Sequence, residues 1–287
     1  MLPKMTRTSS SDEGEKGTHS AVTLEVALKE SAEHLVGMSE CRAAMEGKKL
    51  KIEAYALGDE SNKNCCCKVV HFVRHGQGFH NLLADIYTQS GIKWSNHVAS
   101  ASNPYAQIEV LDAPLTHKGR LQAAQLSDQV QRLKSLHGPL ELVVSSPNCR
   151  ALMTAVVAFD SCNGSKDCKW LVHEMVREEH GVHLCDQRRP KSQQAREFSM
   201  FDFTLLESEN DALFNPTRRE SKLEVGERVY KFMEWLSERP EKHVAITSHS
   251  AWLMTLFNGV VDCKDNESLK SWFQTGEMRS VKLKFKR

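Results

Sequence analysis

The chain opens on a polar, serine-containing stretch over residues 1–20, too poor in apolar positions to build a core and expected to be disordered. Leu24, Leu28, Leu35 and Met38 then recur at roughly helical spacing with charges between them. That pattern predicts a helix from Leu24 to Met45, which Gly47 stops. Leu50, Ile52, Ala54 and Ala56 alternate with Lys51, Glu53 and Tyr55, as in a short strand or an extended arm. A polar linker from Gly58 to Asn64 sets this arm, 21–64, apart from a main body over 65–287.

In the body the pattern changes. Val69, Val70, Phe72 and Val73 form a nearly continuous apolar run, as expected of a strand covered on both faces. Thr116 is a candidate cap for a helix with Ala123, Leu126, Val130 and Leu133 on one face. Leu142-Val143-Val144 reads as a second buried strand, followed by a helix from Asn148 to about Phe159. A further helix carries Val225, Val229, Phe232 and Leu236 and leads into the strand Val244-Ala245-Ile246, after which a helix begins at Ser250. Val281 to Phe285, alternating with lysines, predicts a last strand near an edge of the sheet. Strands alternating with helices define an α/β layered domain.

Composition narrows the function. The 287 residues carry 38 Lys+Arg against 37 Asp+Glu, a net charge of +1, which lacks the basic excess of a nucleic-acid binder. No apolar run is long enough to span a membrane, and the N-terminus has neither a signal-peptide core nor the acid-poor composition of a transit peptide. Nine cysteines without a regular framework point to reduced thiols in a cytoplasmic setting. The Cys65-Cys66-Cys67 triplet lacks the spacing of a zinc knuckle. His180, His183 and Cys185 are capable zinc ligands, but a fourth at sensible spacing is missing.

The candidate chemistry lies where strands end. Arg74-His75-Gly76-Gln77-Gly78 follows the first strand of the body, in the position where open α/β sheets collect ligands. Ser145-Ser146-Pro147 runs into a helix bearing Arg150 and Thr154, and Thr247-Ser248-His249-Ser250 marks a third strand–helix junction. One sheet edge would therefore present Arg74, His75, Arg150 and His249. Two guanidiniums can grip a phosphate dianion, and their field keeps a neighbouring imidazole neutral and nucleophilic. Such a site needs no metal.

These segments, RHGQGFHN at 74–81, PLTHKGRLQA at 114–123, SSPNCRALMTA at 145–155 and ITSHS at 246–250, resemble the histidine phosphatase superfamily in order and spacing. EMVREEHGVHLCDQRR at 174–189 resembles more closely a phosphoglycerate-mutase-like branch common in plants. The resemblance implies a three-layer α/β/α sandwich around a mostly parallel sheet, with an N-terminal helical appendage. It also implies that His75 becomes phosphohistidine, that Arg74, Arg150 and His249 hold the phosphate, and that Asn81 adds a hydrogen bond. Gln77 stands where many members have Glu, and His80 replaces a common tryptophan. Glu178 is the candidate general acid, with Glu174 the alternative. Arg188 and Arg189 either read a second acidic group on the substrate or form a solvated pair.

The implied activity is phosphomonoester hydrolysis without metal or cofactor, on a phosphorylated small molecule or phosphoprotein. A phosphomutase and a catalytically silent phosphate-binding scaffold are the alternatives.

Overall fold

A computed structural model describes residues 32–58, 67–162, 167–264 and 266–287. All of the predicted N-terminal disorder, residues 1–20, together with residues 24–31 of the first predicted helix, and Cys65 and Cys66, lie outside them. The chain divides into two units, 1–36 and 37–287, and the second carries the sheet and every candidate site residue.

Six strands form one sheet: β1 (Lys51–Ala56), β2 (Lys68–Arg74), β3 (Leu142–Ser145), β4 (Lys169–Val172), β5 (His243–Ser248) and β6 (Met278–Lys286). Their order is β1-β6-β2-β5-β3-β4, with β6 antiparallel to both its neighbours and the remaining ladders parallel. The helices are α1 (residues 37–46 in this unit), α2 (Phe79–Gln89), α3 (His117–His137), α4 (Cys149–Ala158), α5 (Lys191–Glu197), α6 (Lys222–Glu238) and α7 (Ser250–Thr255), the last running into a π-helical turn, Leu256–Val260.

The two-residue period of the strands sorts these helices into layers. Val70, Phe72, Val244 and Ile246 face α1, α6 and α7, in one core with Val229, Phe232 and Trp252. Val73, Val143 and Ala245 face the other way, against Leu126 and Val130 of α3 and Leu152 and Ala155 of α4. The sandwich expected from the sequence is therefore present. On α3 the predicted face is also the buried one, with Thr116 capping the Gly119 N–H at 3.1 Å. No helix among the described residues is long and apolar enough to cross a membrane.

Two expectations need correction. The appendage does not end at residue 64: Cys41, Met45, Leu50, Ile52 and Ala54 belong to the sheet's own core, and β1 pairs with β6 along its length. The unit boundary falls at 36–37 instead. The last strand, β6, lies near the edge as expected, one place in, with β1 outermost. Finally, Cys41, Cys149, Cys162, Cys168, Cys185 and Cys263 are buried free thiols, but Cys67 is disulfide-bonded, so reduced thiols are not general.

Candidate active site

Parallel pairing in register brings three strand ends to one edge. Arg74 lies opposite Ser248, and Ser145 lies opposite Thr247, so His75, His249 and Ser146 each follow their strand into the same space. The His75 and His249 rings are 5.0 Å apart, both all but inaccessible. Arg150 enters from the first turn of α4, also fully buried, and its Nε donates to His75 Nε2 at 3.3 Å. The sequence's four principal candidates thus meet.

The loop after β2 can lie here only because two glycines let backbones touch. A Cβ on Gly76 would sit 2.3 Å from the Gly119 carbonyl oxygen, and one on Gly119 would sit 2.2 Å from that of Gln77. The start of α3 and the histidine loop are thereby locked together. The Gly76 N–H donates to Thr154 Oγ1 at 3.0 Å, which ties the loop to α4 as well.

His75 Nδ1 lies 2.7 Å from the carbonyl of Gly76, an acceptor only, so Nδ1 carries the proton and Nε2 the lone pair. Burial, and then the fields of Arg150 and Arg74, hold its pKa well below the ordinary histidine value. The same causes, burial first and then Arg150, act on His249. His249 Nε2 meets Ser146 Oγ at 2.8 Å, while its buried Nδ1 has no partner among the described residues.

Both arginines are held by their terminal nitrogens. Arg150 Nη1 donates to the Cys185 carbonyl at 2.5 Å and Nη2 to Asp186 at 2.8 Å. Arg74 Nη1 donates to the Phe273 carbonyl at 2.7 Å, with Trp272 stacked 5.8 Å away. Arg150 is left its Nε edge for the site, and Arg74 Nε is a buried donor without a partner among the described residues. The Arg150 fork is therefore an anchor.

The other candidates separate. Glu178 accepts the N–H groups of Ala251 and Trp252 and the Ser250 hydroxyl, at the start of the helix that follows His249, and its charge acts on Arg74. Glu174 is bound to Arg177 at 3.1 Å and Arg188 at 2.8 Å. Gln77 bonds Thr116 Oγ1 through its carbonyl and Asp85 through its amide, and Asn81 accepts the Gly78 N–H as the cap of α2. Both shape the loop. Arg188 and Arg189 do not wait for a substrate acid: Arg188 is buried against Glu174 and the carbonyls of 208–210, and Arg189 pairs with Asp112 and Glu197.

Three residues of the site escaped the sequence reading. Ser146 orients His249. Asp186, fully buried, tends to be pushed up by burial, but Arg150 and Arg219 outweigh this and hold it below the usual carboxylate range. Asp112 caps α4 by accepting the Cys149 N–H at 2.8 Å, which fixes the turn that carries Arg150. The signals were faint: a serine beside a strand end, an acid beside Cys185, and an acid before Pro114.

His183 and Cys185 come together with Asp186 within 4.8 Å, while His180 turns to Glu220 at 3.6 Å. Asp186 already answers Arg150 and Arg219, so this trio lies in a positive field that disfavours a cation.

An α/β sandwich whose strand ends converge on a neutral, oriented imidazole between two guanidiniums defines a class of anion site built for histidine chemistry. The chain belongs to the histidine phosphatase superfamily (branch 1), whose family model matches residues 70–284. Two curated relatives are a phosphoglycerate mutase-like protein of Arabidopsis thaliana, 33% identical over 242 residues (75% of this chain, 84% of the relative), and the phosphoglycerate mutase-like protein 1 of the same plant, 35% identical (75% and 80%). Among solved structures, an alpha-ribazole phosphatase from Shigella flexneri is similar at 17% identity and a TM-score of 0.43 (74% of this chain, 89% of that one).

Proposed function

We propose that the protein hydrolyses a phosphomonoester through a phosphohistidine on His75, without a metal ion. The observation that carries this is the fixed tautomer: the Gly76 carbonyl holds the proton on Nδ1, so Nε2 faces Arg150 Nε as a lone pair. An arriving phosphoryl group takes over the Arg150 N–H and frees Nε2 to attack. Arg74 Nε, a buried N–H lacking a partner among the described residues, supplies a further donor to its oxygens, where preorganised charge is worth most. In the first step the N–P bond forms as the P–O bond breaks, and Glu178 gives its proton to the leaving oxygen. In the second, Glu178 takes a proton from water as water attacks phosphorus, and His75 leaves.

Rapid quenching during turnover of nitrophenyl phosphate tests this. Acid-labile, base-stable phosphate should appear on the parent protein and not on His75→Ala, and turnover should survive excess chelator. No trapped phosphate, or full loss to chelator restored by zinc or magnesium, would sink the reading. The relatives' names favour a second reading, a phosphomutase. Interconversion of 2- and 3-phosphoglycerate faster than phosphate release would establish it instead.

A further inference from the structure

One wall of the site has no part in that chemistry. The His80 ring lies against Gly78, where an added Cβ would come within 2.6 Å of its Nδ1, and 5.5 Å from the His75 ring. Tyr105 follows at 6.1 Å from His80, and His183 at 5.0 Å from Tyr105. His80 Nδ1 and His183 Nε2 are both buried without a partner among the described residues. His183 is also held deliberately. Val182 before it adopts φ 64°, a conformation unfavourable to a β-branched residue, and Arg219 clamps the Gly181 carbonyl of that turn at 3.0 Å.

We propose that this wall receives the alcohol half of the substrate, and that the alcohol is uncharged and hydroxyl-bearing: His80 Nδ1 and His183 Nε2 hydrogen-bond its hydroxyl groups, and Tyr105 packs against its carbons. The inference rests on the phosphate-ester reading above and adds the substrate class. Burial, then Arg150, keeps His80 well below the ordinary value, and burial, then Arg219, brings His183 to about 4, so both are neutral near pH 7. A neutral imidazole offers a donor and an acceptor, as a hydroxyl does. A carboxylate would need a free cation there. Arg177 is matched by Asp211 and Glu174, Arg189 by Asp112 and Glu197, and Arg219 by Glu179 and Asp186. Burying an unmatched carboxylate among them is costly.

Glycerol 3-phosphate and 3-phosphoglycerate test this, since they differ by a hydroxymethyl group against a carboxylate. Calorimetric titration of the full chain at pH 7.5 should show glycerol 3-phosphate binding at least about tenfold more tightly. His80→Phe and His183→Phe should each pull that ratio toward one, and if one variant does not fold the other carries the test. Equal or reversed preference in the parent, a ratio unmoved in the folded variants, or failure of both compounds to bind would overturn the proposal. Nitrophenyl phosphate turnover, read in the same samples, bears on hydrolysis alone. A preference that persists without turnover would break the hydrolase reading and leave this wall supported.

Discussion

Strands β2 and β5 carry two buried pairs of histidines, and the pairs could hardly differ more. His71 and His243 lie within the strands, on the face toward α3. His75 and His249 lie just past the strands' ends. In the first pair every nitrogen is matched. His243 Nδ1 meets the Pro139 carbonyl at 3.1 Å, so it carries the proton and Nε2 accepts. His71 Nε2 must then donate to it, at 2.6 Å, and His71 Nδ1 accepts from Ser280 Oγ at 2.7 Å. That chain of donors closes on itself and leaves nothing for a ligand. In the second pair His249 Nδ1 is unmatched among the described residues and His75 Nε2 is met only by a long bond from Arg150. Buried polar groups are normally satisfied, so the unmatched ones mark where a substrate completes the set. Residue type and burial are the same in both pairs; partner supply separates structure from chemistry.

The sharpest test of that contrast replaces one imidazole from each pair. His75→Asn should lower turnover by about 10⁴-fold or more, since a nucleophile has no substitute, with the unfolding midpoint little changed. His243→Asn should do the reverse, lowering the midpoint while the folded fraction keeps its kcat. Chemical denaturation and steady-state rates on the same preparations decide. Turnover in His75→Asn near the parent level would mean that the unmatched nitrogens are not catalytic.

Arg150→Lys comes next, at about 3 kcal/mol of transition-state stabilisation, or roughly a hundredfold in kcat. The guanidinium reaches Cys185 and Asp186 with its terminal nitrogens while Nε faces His75, and one ammonium cannot do both. Near-full turnover would show that Arg150 is a buried structural cation only.

How much of this could be read from sequence depends on the distance over which each contact forms. Arg74, His75 and His249 were legible because parallel register carries strand-end motifs to one edge, whatever the loops do. The same reading offered Arg188 to a substrate acid because sequence does not show Glu174 and the 208–210 carbonyls folding around it. It separated β1 from the body because the alternation of Leu50–Ala56 identifies a strand but not its partner, which lies more than 200 residues away. Lys169–Val172 went unrecognised, since four residues set no period. His71 and His243 were invisible as a pair for another reason: an interior histidine in an apolar strand reads only as an interruption.

Acid should erode the fold through both pairs. Burial lowers His71 to about 3, and it also lowers His243, His75 and His249 below the ordinary value. The unfolded chain, titrating near 6.5, therefore binds more protons, so this stability is complete above about pH 6.5 and declines as pH falls below it. Each such histidine should remove about 1 kcal/mol between pH 6 and pH 5. Urea midpoints at pH 7, 6 and 5 measure the slope. Saturating phosphate should reduce it, because an anion against His249 favours the charged ring, and the slope that remains is shared by the closed pair and the other buried histidines, His80, His173, His180 and His183. A flat profile would remove the linkage from both clusters.

The smallest expected effect isolates the closed pair without touching an imidazole. Ser280 stands on β6 opposite His71 and supplies the hydroxyl proton that His71 Nδ1 accepts. Ser280→Ala leaves that nitrogen without its donor, and losing one such bond costs about 1 kcal/mol. With one acceptor freed, the chain can relay its protons the other way only if the Pro139 carbonyl is left unmatched in turn, so the loss is not recovered by switching tautomers. The urea midpoint should fall by that modest amount, while kcat and KM for nitrophenyl phosphate stay at parent values because nothing at the strand ends depends on Ser280. A fall in kcat at unchanged stability would mean that the two pairs communicate along β2 and β5, and the separation drawn between them would fail.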